Sequence, residues 1–62
     1  MSIRQYEEYL GDGVYVYLDD YGAVVLYTSN GFNETNRVVL EPAVFSQFEH
    51  WIEHVRKSEA QR

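Results

Sequence analysis

Hydrophobic positions alternate through the middle of the chain and then switch to helical spacing. Gly13 to Leu18, G-V-Y-V-Y-L, sets the pattern: Val14, Val16 and Leu18 fall on one side of a strand, Tyr15 and Tyr17 on the other. Ala23 to Thr28 predicts a second strand, with Val24 and Leu26 opposed to Ala23, Val25 and Tyr27. Asn36 to Leu40 predicts a third, with Val38 and Leu40 opposed to Arg37 and Val39. D-D-Y-G at 19–22 reads as a tight turn ending in the glycine such reversals favour. Asn30-Gly31 is a strong turn signal, and it leaves open whether the strands run up to it or give way to a longer polar loop. Residues 3–10 also leave two readings: Ile3, Tyr6 and Leu10 fit a short helical turn, whereas Tyr9 and Leu10 fit the start of a strand. G-D-G at 11–13 reads as a turn or bulge entering the first strand, or as a place where backbone comes close to a ligand.

Glu41-Pro42 starts a helix. Proline is at home in the first helical turn, where its missing N–H goes unneeded, and a glutamate favours the positive end of the helix. Over residues 42–57, Val44, Phe45, Phe48, Trp51, Ile52 and Val55 fall within an arc of about 120°, as in a surface helix that packs one face. Residues 58–62 are expected to fray. The pattern predicts a single α+β domain over 1–62, a three-stranded antiparallel β-meander packed on one C-terminal α-helix. The face expected under the helix carries Val14, Val16, Leu18, Val24, Leu26, Val38 and Leu40. Tyr15, Tyr17, Val25, Tyr27 and Val39 are left on the other, more aromatic surface than a monomer normally exposes as one patch. A homo-oligomer assembled through this face or a sheet edge follows. On this placement Trp51 is a core residue, and Tyr17→Glu splits the assembly without disturbing the fold.

Composition narrows the class. A chain of 62 residues buries only about 60% of its unfolded surface, so self-association is one of its few available supports. With no cysteine there is neither a disulfide nor a thiolate metal site. The first residues, M-S-I-R-Q-Y-E-E, lack the apolar run of a signal peptide, and no stretch approaches the length of a membrane span, so a soluble, cytoplasmic protein without a membrane partner is expected. The net charge is −5, and all of it lies in residues 1–36, where six acids face Arg4 alone; residues 37–62 balance four bases against four acids. An acidic sheet repels phosphate backbones, which argues against DNA or RNA binding.

Catalytic chemistry is poorly represented. There is no nucleophile elbow, no phosphate-binding glycine loop and no carboxylate pair with a meaningful spacing, and so small a chain lacks walls to exclude water. His50 and His54 are spaced to share a metal but lack a third ligand, so exposed histidines are the plainer reading; neither a metal nor a cofactor is expected. Thr35-Asn36-Arg37 is richer. Arg37 presents a planar fork suited to carboxylate or phosphate. It either pairs with an acid such as Asp19 or Glu34, or joins Tyr15, Tyr17 and Tyr27 around a small anionic, base-containing ligand. In the second case Arg37, Asn36 and Thr35 hold phosphate or ribose, and the tyrosines stack on the base.

Y-L-G-D-G-V-Y at 9–15, with T-N-R-V-V-L-E-P at 35–42 and a closing amphipathic helix, resembles a family of small bacteriophage and prophage proteins across residues 9–57. The second tyrosine of V-Y-V-Y departs from that family's pattern. The resemblance implies a cytoplasmic accessory protein made during infection. The reading this supports first is a non-enzymatic, oligomeric counter-defence protein of the host cytoplasm that sequesters a small nucleotide immune signal; the alternatives are an inhibitor that binds a host defence protein through an acidic or tyrosine-rich surface, and a structural phage accessory protein.

Overall fold

The structure, a computed structural model, describes residues 4–60. Four strands form one antiparallel meander in the order β1-β2-β3-β4: β1 (Gln5–Gly11), β2 (Val14–Leu18), β3 (Val24–Ser29) and β4 (Glu34–Leu40). A single helix, α1 (Pro42–Ala60), follows. The α+β class, the meander and the C-terminal helix match the sequence pattern, and the strand number is corrected from three to four. The fourth strand is the N-terminal one, settling residues 5–10 as strand; Ile3 and residues 61–62 lie outside the described residues. The helix runs through Ala60, beyond the expected end at 57.

Each hairpin has a local cause. Asp12 and Gly13 join β1 to β2 with φ of 54° and 79°, the two successive left-handed residues of a tight Asp-Gly reversal. Between β2 and β3 the Asp19 carboxylate accepts from the Tyr21 and Ala23 amides at 2.8 and 2.9 Å, and the Gly22 amide bonds the Asp19 carbonyl at 3.2 Å. The β3–β4 connection is the longer polar loop: the Asn30 side-chain oxygen accepts from the amides of Phe32 and Asn33, both at 2.9 Å. At the helix start the Phe45 amide bonds the Glu41 carbonyl at 2.8 Å, so Glu41 precedes a helix opened by Pro42.

β1 hides from a period-two reading because it carries a bulge. Gln5 pairs with Leu18 and Glu8 with Val16, so Tyr6 and Glu7 together face the single residue Tyr17. Tyr6 has φ 57°, unusual for a residue with a side chain. The extra residue resets the alternation, and Arg4, Glu7 and Tyr9 thereby share the tyrosine face although their spacing is three and then two. A second shift between Tyr9 and Gly11 brings the strand into the turn. At the opposite edge, β4 has its own irregularity: Ser29 pairs with Glu34 and Thr28 with Asn36, leaving Thr35 between them.

The tyrosine face, not the aliphatic one, is the core. Tyr17, Ala23, Val25 and Tyr27 are the buried hydrophobic residues, with Tyr15 packed against them. The expectation of an uncovered tyrosine face is therefore overturned: β1, left open between helical turn and strand by the pattern, and Arg4 just before it supply the side chains that close it. Tyr17→Glu would put a charge inside the fold rather than in a contact between copies. The helix is also displaced from its expected seat. It has no buried residue, and Trp51 is 59% exposed, so Trp51 is not a core residue of the single chain. Its main neighbour in the sheet is β4, and Phe45 and Phe48 in its first two turns border the aliphatic face. Residues on that face, Val16, Leu18, Val24 and Leu26, are half-buried, and Val38 is exposed.

Val25 and Val39 are cross-strand partners on the same face, 2% and 49% exposed. Val25→Ala should lower stability by about 2 kcal/mol, whereas Val39→Ala should stay below about 1 kcal/mol, because only the first leaves a cavity. Urea titration of both variants checks the contrast, and equal losses would mean that the tyrosine face is not the core.

Candidate functional site

Cross-strand register assembles the tyrosines into a row. Tyr9 faces Tyr15, Tyr15 faces Tyr27, and Tyr27 faces Arg37, so one line crosses all four strands. Tyr9 and Tyr15 meet at a tilt with centroids 4.9 Å apart, and Tyr15 and Tyr27 stack nearly parallel at 5.0 Å. Tyr17 lies one row along and meets Tyr27 at a tilt, with centroids 5.8 Å apart. Directly opposed aromatic pairs of this kind are what hold neighbouring strands in register.

A charged cluster covers the row. The Arg4 guanidinium lies over the Tyr17 ring at 4.8 Å and the Tyr27 ring at 5.1 Å. It bonds the Glu7 carboxylate at 3.0 Å and approaches Glu34 at 3.8 Å. The Tyr27 hydroxyl donates to the same Glu7 oxygen at 2.6 Å. The Tyr9 hydroxyl accepts from the Gly13 amide at 3.0 Å, tying the row to the β1–β2 turn. Hydrogen bonds from Tyr27 and then Arg4 hold the Glu7 carboxyl below its ordinary value of 4.5. The same bond to Glu7, followed by burial, raises Tyr27 above its ordinary 10.0. Arg4 is raised further by its bond to Glu7.

The six residues gathered by sequence divide between the two faces. Tyr15, Tyr17, Tyr27 and Arg37 share the tyrosine face. Asn36 lies opposite Thr28, which lies opposite Val14, and so belongs to the aliphatic side. The Thr35 hydroxyl bonds that of Thr28 at 2.5 Å. Thr35 and Asn36 thus sit on the other side of the sheet from Arg37. Asn36 and Arg37 border only a shallow depression of about 80 Å³, below the roughly 300–1,000 Å³ of small-molecule sites. Of the two readings of Arg37, pairing with an acid is the one realised: its guanidinium bonds Glu34 at 2.7 and 2.9 Å. Arg4 and Glu7 were missed altogether. Their only trace in the sequence is an i,i+3 opposite-charge pair, which has no meaning for a regular strand and acquires one through the bulge.

Other candidate chemistry stays dispersed. Among the described residues no group of three or more histidines and carboxylates could hold a metal, and no helix is long and apolar enough to cross a membrane. A groove of about 480 Å³ lies on the aliphatic side between the sheet and the first turns of α1; Glu8 is its one charged lining residue. No family model, curated protein or solved structure matches the chain.

Because Glu7's carboxyl is lower in the folded state than in the unfolded chain, its contribution is present above its unfolded value and is lost as pH falls through the folded one. Thermal melts of the parent should therefore fall more steeply on acidification below about 4.5 than those of Glu7→Gln, which keeps an acceptor for Tyr27 but cannot titrate. Parallel acid profiles would show that the carboxylate is not part of the fold.

Proposed function

We propose that the protein is a non-enzymatic inhibitor that binds a basic surface of a host defence protein through the acidic, tyrosine-bearing side of its sheet, within the host cytoplasm during infection. The observation that carries this reading is the fate of the two sheet arginines. Arg4 is engaged by Glu7 and Glu34, and Arg37 by Glu34. Neither is left as an uncompensated cation for a phosphate; the two arginines and two glutamates balance, and the net negative charge comes from the turns, where Asp12 and Asp20 are exposed. Such a surface steers a positively charged partner and repels anions. Exposed Tyr9, beside the turn, offers the amphipathic contact area that protein interfaces favour.

Sequestration of a small nucleotide is the second reading, and one observation favours it: the Tyr15–Tyr27 stack ends at Arg37 across the strands. A purely structural phage role has no comparable support. The expected result is no heat on titrating cyclic di- and trinucleotides or ADP-ribose, together with capture of a host protein whose binding weakens in raised salt and in Asp12→Asn, and survives Arg37→Ala. Asparagine tolerates the left-handed backbone at position 12, so that variant tests charge rather than folding. Saturable nucleotide binding that disappears in Arg37→Ala would overturn the inhibitor reading in favour of sequestration.

A further inference from the structure

The single chain exposes more surface than its size accounts for. Its accessible area is 5252 Å² for a mass of 7.3 kDa, about 1,000 Å² above the roughly 4,200 Å² that size scaling gives for a folded monomer of this mass. Its radius of gyration is 13.8 Å, against about 10.6 Å for a compact domain of this length. The long dimension is 44 Å, and the cause is the helix. Nineteen residues span about 28 Å, and its first two turns line grooves with the sheet through Val44, Phe45, Gln47 and Phe48. Farther along the stripe Trp51 is exposed, and Ile52 and Val55 are half-buried.

We infer that a second copy of the chain completes this half-built core, the helix of each protomer lying across the aliphatic sheet face of its partner. Each chain lacks what the other has to spare. The sheet offers an apolar face without a helix over most of it, with Val38 54% exposed and the groove beside Leu26 and Leu40 open. The helix offers a stripe its own sheet only begins to meet: Trp51 is exposed, Val44 and Phe48 stay exposed at the groove edge, and the Phe48 and Trp51 rings lie nearly parallel with centroids 6.2 Å apart. Such reciprocal complementarity is the signature of a two-fold contact, in which the same pair of surfaces is used twice.

Area and charge both suit the contact. The excess of about 1,000 Å² per chain slightly exceeds the roughly 800 Å² that each partner buries in an interface of standard size. The net negative charge belongs to residues 1–36, while residues 37–62 are balanced. Two helical halves can meet without the repulsion that two acidic sheets would feel. The tyrosine side remains outward on both protomers, so this assembly is independent of the inhibitor reading and stands or falls separately from it.

The test uses mass and the single tryptophan together. Light scattering should give twice 7.3 kDa for the parent, with blue-shifted Trp51 emission. Trp51→Glu and Val38→Lys should each return the mass of one chain, since both positions are exposed in the protomer and covered in the pair. Three results would each overturn the inference: a parent with the mass of one chain, a two-chain parent whose Trp51 emits as a water-exposed indole, or a two-chain mass unchanged in both variants. The emission is measured on the unaltered protein, so a variant that fails to fold does not remove the test.

Discussion

A buried tyrosine ring is a large apolar gain with a polar atom attached, and the fold depends on how Tyr27 resolves that conflict. Its ring lies in the middle of the row, nine-tenths covered, and its hydroxyl donates to Glu7. Glu7 is itself a charge that could not sit over aromatic rings alone, and Arg4 answers it while laying its own plane on Tyr17 and Tyr27. Hydrogen bond, ion pair and cation–π contact satisfy one another in a closed set. All three require Arg4 and Glu7 on one face, which is the work of the bulge at Tyr6. A straight β1 would send one of them to the aliphatic side and leave the tyrosines bare.

This dependence explains what sequence could and could not reveal. The alternation of β2 and β3, the Asp19 and Asn30 turns, and the Glu41-Pro42 helix start were all legible, because each is a local preference expressed within a few residues. β1 was not. Its side-chain pattern is broken where Tyr6 adopts a positive φ, and period-two counting fails at such a position. The inversion of the two faces follows from that break. Without β1, valines and leucines seem the natural core and tyrosines the natural surface. With it, Tyr9 meets Tyr15, Glu7 accepts from Tyr27 and Arg4 lies over Tyr17, and the preference inverts. Of the candidate site, the shared face of Arg37 and the tyrosines was legible, while the pairing of Arg37 with Glu34 and the cover of Arg4 over the rings depend on the two strand irregularities.

The two faces of the sheet divide the labour. One is closed by side chains of its own chain, rich in tyrosine and acid. The other is apolar and unfinished, continuous with a helix that has little else to touch. A chain of this length has too little interior for both faces to be cores. Joining two chains through the unfinished side would present two identical tyrosine surfaces in one particle, so a target that is itself repeated could be engaged twice, with the second contact made at high effective concentration.

The irregularity at Thr35 bears on growth. β4 is an outer strand, and a regular outer strand is an open template onto which further chains can be laid without limit. Here the first part of the template is spoiled. Thr35 interrupts the even spacing of backbone donors and acceptors, and Glu34 and Arg37 place charges alongside it. Only the short run Val38–Leu40 keeps an even ladder with apolar side chains, too brief to seed a stack. At the other margin, the bulge at Tyr6 breaks β1 in the same fashion. The kinks that shape the sheet therefore also give it ends, making it a poor starting point for a fibre.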